Sequence, residues 1–273
     1  MKELIYRVSE DFTATDINPI TNKPYDNSWI VYCLTSSDEY HMMNGGGIKT
    51  VYTLKVSKNY PDWKMSIIDF IEFQEDNGKS IILSASNNDL ELAKEFYLGH
   101  HYNEKSLRQN EPGVLIHSTT TENWESIKLD GCLKSWSVLK AERKDWEETP
   151  IGNELGDPLD FSDYIMFSNG AVSSEMVILS KQTGKINMNQ NIKYKPGARL
   201  YFDMEKIAED GLLLRDGCHL KVKGRLPLSP YLIWTADWKS VGLESEFSTP
   251  AEFTVRANNK FNELYGNTVK TTF

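Results

Sequence analysis

The sequence predicts an α+β fold built on split sheets. Short runs rich in β-branched and aromatic residues recur along the chain, and only a few stretches of helical spacing interrupt them. No fixed-period repeat or low-complexity tract is present, which sets aside solenoids and arrays. A polar segment from Asn103 to Gly113, closed by Pro112-Gly113, divides the chain into an N-terminal region of 1–110 and a second domain of 111–273.

In the first region, Leu4–Val8, Ser28–Leu34 and Val51–Val56 read as strands, and Ile81–Ser84 as a short buried one. Ser66–Phe73 is another apolar run. Leu90, Ala93 and Phe96 recur at helical spacing, predicting a helix over Asn88–Leu98 that Gly99 stops. Asn44-Gly45-Gly46-Gly47 reads as a flexible hairpin, since no helix start follows it to make a phosphate cradle.

In the second domain, Val114–Ile116 reads as a strand and Glu122–Leu129 as a helix, with Thr121 as N-cap and Gly131 as its stop. The polar stretch Glu142–Asp163 reads as a loop. Tyr164–Phe167 and Arg199–Phe202 are strand candidates, and Met204–Glu209 is a short helix. Leu212–Leu214, Leu220–Val222, Tyr231–Trp234 and Phe253–Val255 continue the mostly β pattern.

Composition narrows the function classes. Apolar content of 40% and charged content of 25% belong to an ordinary globular chain. No run reaches the ~18 apolar residues of a membrane span, and the N-terminus lacks a signal-peptide core. A cytoplasmic, non-membrane protein is the expectation. Cys33, Cys132 and Cys218 are odd in number and far apart, which argues for reduced thiols and against a disulfide framework or zinc site. His41 and His100-His101 lack a third close ligand, so no metal is expected. The net charge of −9 is unlike the basic surface of most nucleic-acid binders. Local basic clusters, Lys134-Lys140-Arg143-Lys144 and Lys193-Lys195-Arg199, offset it only weakly.

The most informative segment is Val114-Leu115-Ile116-His117-Ser118-Thr119, followed by Asn123, Ile127 and Gly131. An apolar strand that ends on histidine and hydroxyl residues and turns into a helix sets ligand-contacting side chains beside the positive helix end. Three further segments follow in order. They are Asp163-Tyr164-Ile165-Met166-Phe167 with Ser173-Ser174-Glu175-Met176, then Leu214–His219, then Ala236-Asp237-Trp238 with Ala251-Glu252-Phe253-Thr254-Val255.

Over roughly 114–260 this order resembles the DarT-type ADP-ribosyltransferases, toxins that attach ADP-ribose from NAD to bases of single-stranded DNA. The family pattern is His-x-Thr…Asn…Ile…Gly, then Asp-Tyr-Val-Pro-Phe with Ser-Pro-Met, a Thr-Asp-x-His-like segment and a closing Ala-Glu-Phe strand. Met166 stands where the family has proline. The family's catalytic arginine precedes the Asp-Tyr segment; Arg143 is the nearest candidate here, at a different spacing. Residues 1–110 lie outside the likeness.

The resemblance implies an ADP-ribosyltransferase-like split sheet with NAD as co-substrate. His117, Ser118, Thr119, Asn123, Gly131 and Tyr164 would contact NAD; Glu252 and Arg143 would be catalytic. The chemistry asks for such a set, because breaking the nicotinamide–ribose bond passes through an oxocarbenium-like transition state. A carboxylate can hydrogen-bond the ribose and take a proton from the acceptor. From the residues alone, Glu252 is an ordinary outward position of a strand and His117 a strand-end histidine. Tyr164 and Phe167 read equally as core. Asp216 and His219 fall in a polar turn, with His219 structural or substrate-contacting.

The implied function is an NAD-dependent mono-ADP-ribosyltransferase acting on single-stranded DNA or RNA, a bacterial toxin or anti-phage effector with an antitoxin partner. The alternatives are a transferase with a protein acceptor, and a degenerate domain that binds a nucleotide or a partner. The tRNA 2′-phosphotransferases share the opening, but they use basic residues where this chain has Glu252.

Overall fold

The computed structural model describes residues 4–36, 43–45, 51–100, 103–143, 152, 157–266 and 269–272. Gly46-Gly47 of the glycine-rich turn, His41, His101 and Lys144 lie outside the described residues. The chain is α+β and divides into two units. The first takes Met1–Asn103, Gly152–Phe161 and Arg215–His219; the second takes Glu104–Ile151, Ser162–Leu214 and Leu220–Phe273. The division is therefore not the two consecutive blocks 1–110 and 111–273. A short hairpin tip, Arg215–His219, groups with the first unit, where Gln74 Nε2 donates to Asp216 Oδ1 at 2.9 Å.

In the first unit, β-branched and aromatic runs form β1 (Ile5–Val8), β2 (Ile17–Asn18), β3 (Lys23–Pro24), β4 (Trp29–Thr35), β5 (Met43–Gly45), β6 (Thr53–Ser57) and β7 (Ser80–Ser84). The main sheet runs β1-β7-β4-β6-β5, parallel except for β5. Ile30–Leu34 of β4 are buried without alternation, as expected of a parallel strand covered on both faces. Ser66–Phe73 falls in a helix, α1 (Trp63–Asp76), whose Ile67 and Phe70 are buried; Phe70 packs 5.1 Å from the Tyr32 ring. The next helix, α2 (Asn87–His100), starts where Ser86 Oγ accepts from the Asp89 amide at 3.0 Å. It runs past Gly99, so that glycine does not end it.

The second unit begins with β8 (Val114–Thr119), which continues three residues beyond its apolar run. Helix α3 (Thr121–Asp130) follows; its cap is Thr120, one residue earlier than expected, and Gly131 closes it at φ 65°. Then come β9 (Cys132–Lys134), α4 (Trp136–Glu142), β10 (Tyr164–Phe167), α5 (Ser173–Thr183), β11 (Ala198–Asp203), α6 (Met204–Glu209), β12 (Leu213–Asp216), β13 (His219–Lys223), β14 (Arg225–Pro227) and β15 (Leu232–Ala236).

The expected strand over Phe253–Val255 is instead helix α7 (Pro250–Tyr265). Thr249 caps it and proline takes its first position. Phe253, Ala257 and Phe261 recur every fourth residue and are wholly buried, so the five-residue run was one turn of an amphipathic helix.

β8 lies at the centre of a divided sheet. Along its whole length it pairs antiparallel with β11, which pairs onward with β15. On its other side, a single bridge joins Ile116 to Ser168, just beyond β10, through two backbone bonds of 2.8 Å. Beyond Ile116 the strands part, and β10 continues with β13 and β12. Alternation along β8 sends Leu115 into one cluster with Leu200, Phe202 and Ile165. Val114 and Ile116 enter another with Tyr201, Ile178, Phe253 and Phe261. Among the described residues, no helix is long and apolar enough to cross a membrane.

Candidate functional site

The site grows from the end of β8, where consecutive side chains point to opposite faces. His117 is half-buried and lies on the Leu115 face. Its Nδ1 is 3.1 Å from the Met166 carbonyl, across the gap where β8 and β10 separate. Because a carbonyl only accepts, Nδ1 carries the proton, and Nε2 is left as an acceptor. The Phe167 ring meets the imidazole edge-on at 6.0 Å. Burial pushes the His117 pKa down to about 4; the bond to Met166 opposes this, and the Lys181 ammonium adds to it. The imidazole is neutral at physiological pH. Lys181 itself rests over the Trp136 ring, 5.6 Å from its centroid.

The turn after β8 supplies the helix start. Thr120 Oγ1 accepts from the Asn123 amide at 3.2 Å, and Asn123 is half-buried in the first turn of α3. Gly131 stands at the far end of α3, so it shapes the helix and does not share the site with His117. Thr119 is buried in the ladder opposite Ala198, where Gly197 presses on it. A Cβ at position 197 would sit 1.9 Å from the Thr119 carbonyl oxygen, so only glycine lets the two strands approach.

Ser118 points to the other face, toward charges. Its hydroxyl donates to Glu175 Oε1, and Glu175 also accepts from Tyr194 OH at 2.7 Å and from Arg199 Nη1 at 3.1 Å. Arg199 Nη1 donates to Ser174 Oγ at 2.6 Å, and Nη2 to Asn258 Oδ1 at 3.3 Å. Asn258 Nδ2 in turn donates to the Gly170 carbonyl at 3.1 Å and to Thr271 Oγ1 at 2.9 Å. Arg199 and Glu175 are 0% and 1% exposed, so no ligand reaches either. Burial also raises the Tyr201 phenol to about 12, partly offset by Arg199.

Several expected residues fall elsewhere. Tyr164 is buried with Lys221 Nζ 4.6 Å over its ring, so that face is not open to stack on nicotinamide. Glu252 is exposed in the first turn of α7, where it bonds Ser248 Oγ at 3.0 Å and Arg256 Nε at 3.1 Å. Arg143 ends α4 and donates to Ser126 Oγ at 2.9 Å. Neither Glu252 nor Arg143 has His117, Ser118 or Thr119 among these partners.

Part of each basic cluster is already paired. Lys134 pairs with Asp130 and Glu142, Lys195 with Glu246, and Arg199 belongs to the core. In the first unit, His219 packs on Tyr52 and Phe161 at 6.4 and 5.6 Å.

The structure thus joins His117, Lys181, Trp136 and Phe167, of which the sequence reading marked only His117 as functional. It brings Ser118 together with Ser174, Glu175 and Arg199. A charged residue inside the strand run Ala198–Phe202 was the available signal for Arg199, but its partner is distant in sequence. Comparison with protein-family models, with curated proteins and with solved structures finds no match for this chain.

Proposed function

We propose that the second unit is an NAD-using ADP-ribosyltransferase domain of the DarT-like kind, with the dinucleotide held at the open end of β8 and a nucleic-acid acceptor. One observation carries the reading: a neutral histidine stands where β8 parts from β10, its Nδ1 proton tied to a backbone carbonyl and its Nε2 left to accept. An acceptor of that kind suits a ribose hydroxyl. The start of α3, directly after β8, suits a diphosphate through its amides and dipole. Lys181, whose charge acts on His117, adds a cation in its neighbourhood.

In this reading His117 orients the ribose next to the bond that breaks, Phe167 fixes the imidazole plane and Asn123 contacts the cofactor from the helix turn. NAD supplies the activated ribosyl group. The carboxylate and arginine of the transfer step are assigned to Glu252 and Arg143 by resemblance alone.

A second reading, a domain that binds a nucleotide or partner without catalysis, is favoured by the positions of those two residues. Glu252 is engaged with Arg256 and Ser248, and Arg143 with Ser126.

Labelled NAD incubated with the protein and single-stranded DNA, RNA or lysate protein separates the two. The expected result is label on nucleic acid that disappears in His117→Ala. Label on protein alone moves the acceptor class. Calorimetric NAD binding without labelling selects the second reading, and absence of binding overturns both. Full labelling in Glu252→Ala removes that residue from the chemistry.

A further inference from the structure

β8 is held unequally along its length. On its β10 side it is bonded at one residue, Ile116, through the bridge to Ser168; among the described residues, those past the bridge pair with β11 alone. A strand end with one free side has unpaired backbone groups and a low cost of local opening. Yet this is the end that presents His117.

Two side-chain bonds stand in for the missing ladder. On one face His117 Nδ1 reaches the Met166 carbonyl. On the other, Ser118 Oγ donates to Glu175 at the start of α5. That carboxylate is itself over-determined: Arg199 of β11, directly opposite Ser118 in the ladder, and Tyr194 both donate to it. Burying a charged pair is costly, and two apolar residues would fill the same space with less penalty. What the pair adds is direction: Arg199 and Tyr194 fix the carboxylate that accepts from Ser118, and Arg199 also holds Ser174 Oγ, the hydroxyl's other acceptor at 3.3 Å.

We propose that Glu175 and Arg199 are positioning residues: through Ser118 they lock the unpaired end of β8 and so hold His117 in its ligand-accepting orientation. The functional consequence rests on the nucleotide reading above; the positioning itself does not. Nothing need bind for the lock to be observed.

The test is ¹⁵N NMR of the His117 ring, with hydrogen exchange at residues 117–120, in the full chain. In the unaltered protein the ring is expected to carry its proton on Nδ1, facing the Met166 carbonyl, and to titrate near pH 4. In Ser118→Ala the proton is expected to redistribute between the two ring nitrogens, the midpoint to rise toward that of a free histidine, and the exchange to quicken about tenfold or more. Glu175→Gln should do the same where it folds. Tyr194→Phe removes a bond to the same carboxylate without touching β8, so it should leave the ring as it was.

A Ser118→Ala protein whose His117 spectrum and exchange match the parent overturns the proposal. So do equal changes in Ser118→Ala and Tyr194→Phe, which would mean general loosening. NAD binding measured on the same samples keeps the two ideas apart. If the ring responds as expected while the parent binds no NAD, the lock stands and the nucleotide reading falls.

Discussion

The two faces of β8 solve the same problem in opposite ways. Beyond Ile116 both must hold a strand that has lost one neighbour. The Leu115 face uses a neutral ring on a backbone carbonyl, surrounded by Phe167 and the apolar cluster around Leu200 and Phe202. The Ser118 face uses formal charges, Arg199 and Glu175, sealed from water behind two serines and an asparagine. The first is tunable, because the ring can take up a proton as pH falls toward 4. The second is rigid, because neither charge can leave without stranding the other. A strand end built this way has one face that can change charge and one that cannot.

The largest expected effect breaks the rigid face. Arg199→Met leaves Glu175 buried without its cation and should cost about 3–5 kcal/mol of unfolding free energy. Arg199→Met combined with Glu175→Leu should recover much of that loss. Denaturant unfolding of the three variants measures it, and a double variant as unstable as the single would deny that the cost is an orphaned charge.

The next effect probes the tunable face through pH. A folded-state pKa of about 4 against 6.5 unfolded means that, between these values, the unfolded chain holds a proton the native ring lacks. The contribution is therefore complete above pH 6.5 and is lost as pH falls toward 4. It amounts to about 3 kcal/mol at most, the half-buried ring keeping it at or below that. Carboxylates titrate over the same range, so the informative quantity is the difference between parent and His117→Gln stability curves. Parallel curves would mean that the ring is not kept neutral.

The smallest effect lies just past the strand. Thr120→Ala removes the α3 cap accepted from Asn123 and should cost about 1 kcal/mol. If the helix start also receives an anion, NAD affinity should drop with it. A loss of stability at constant affinity would confine Thr120 to capping.

Much of this was legible in the sequence, for local reasons. The β8–α3 unit was readable because the apolar run, the hydroxyl residues and Gly131 each act within a few residues. Even so, the cap moved from Thr121 to Thr120 and the strand ran on to Thr119.

The α7 segment misled because Ala251–Val255 is short enough to alternate like a strand and also to form one helical turn. Its arbiters were Thr249-Pro250 before it and Ala257 and Phe261 after it. The buried pair was out of reach for another reason. Arg199 and Glu175 lie 24 residues apart, and a lone arginine near Lys193 and Lys195 looks like part of a solvated patch. Pairing that depends on which strands become neighbours leaves no periodic trace.

Gly197 carries a last consequence. Its backbone angles are open to any residue, but the Thr119 carbonyl occupies the place of its side chain. Selection at this position would return glycine alone. In a saturation screen for stability, Gly197 would rank with the buried core, although it acts only through the main chain it lets pass. Intolerance there measures how closely two strands must run.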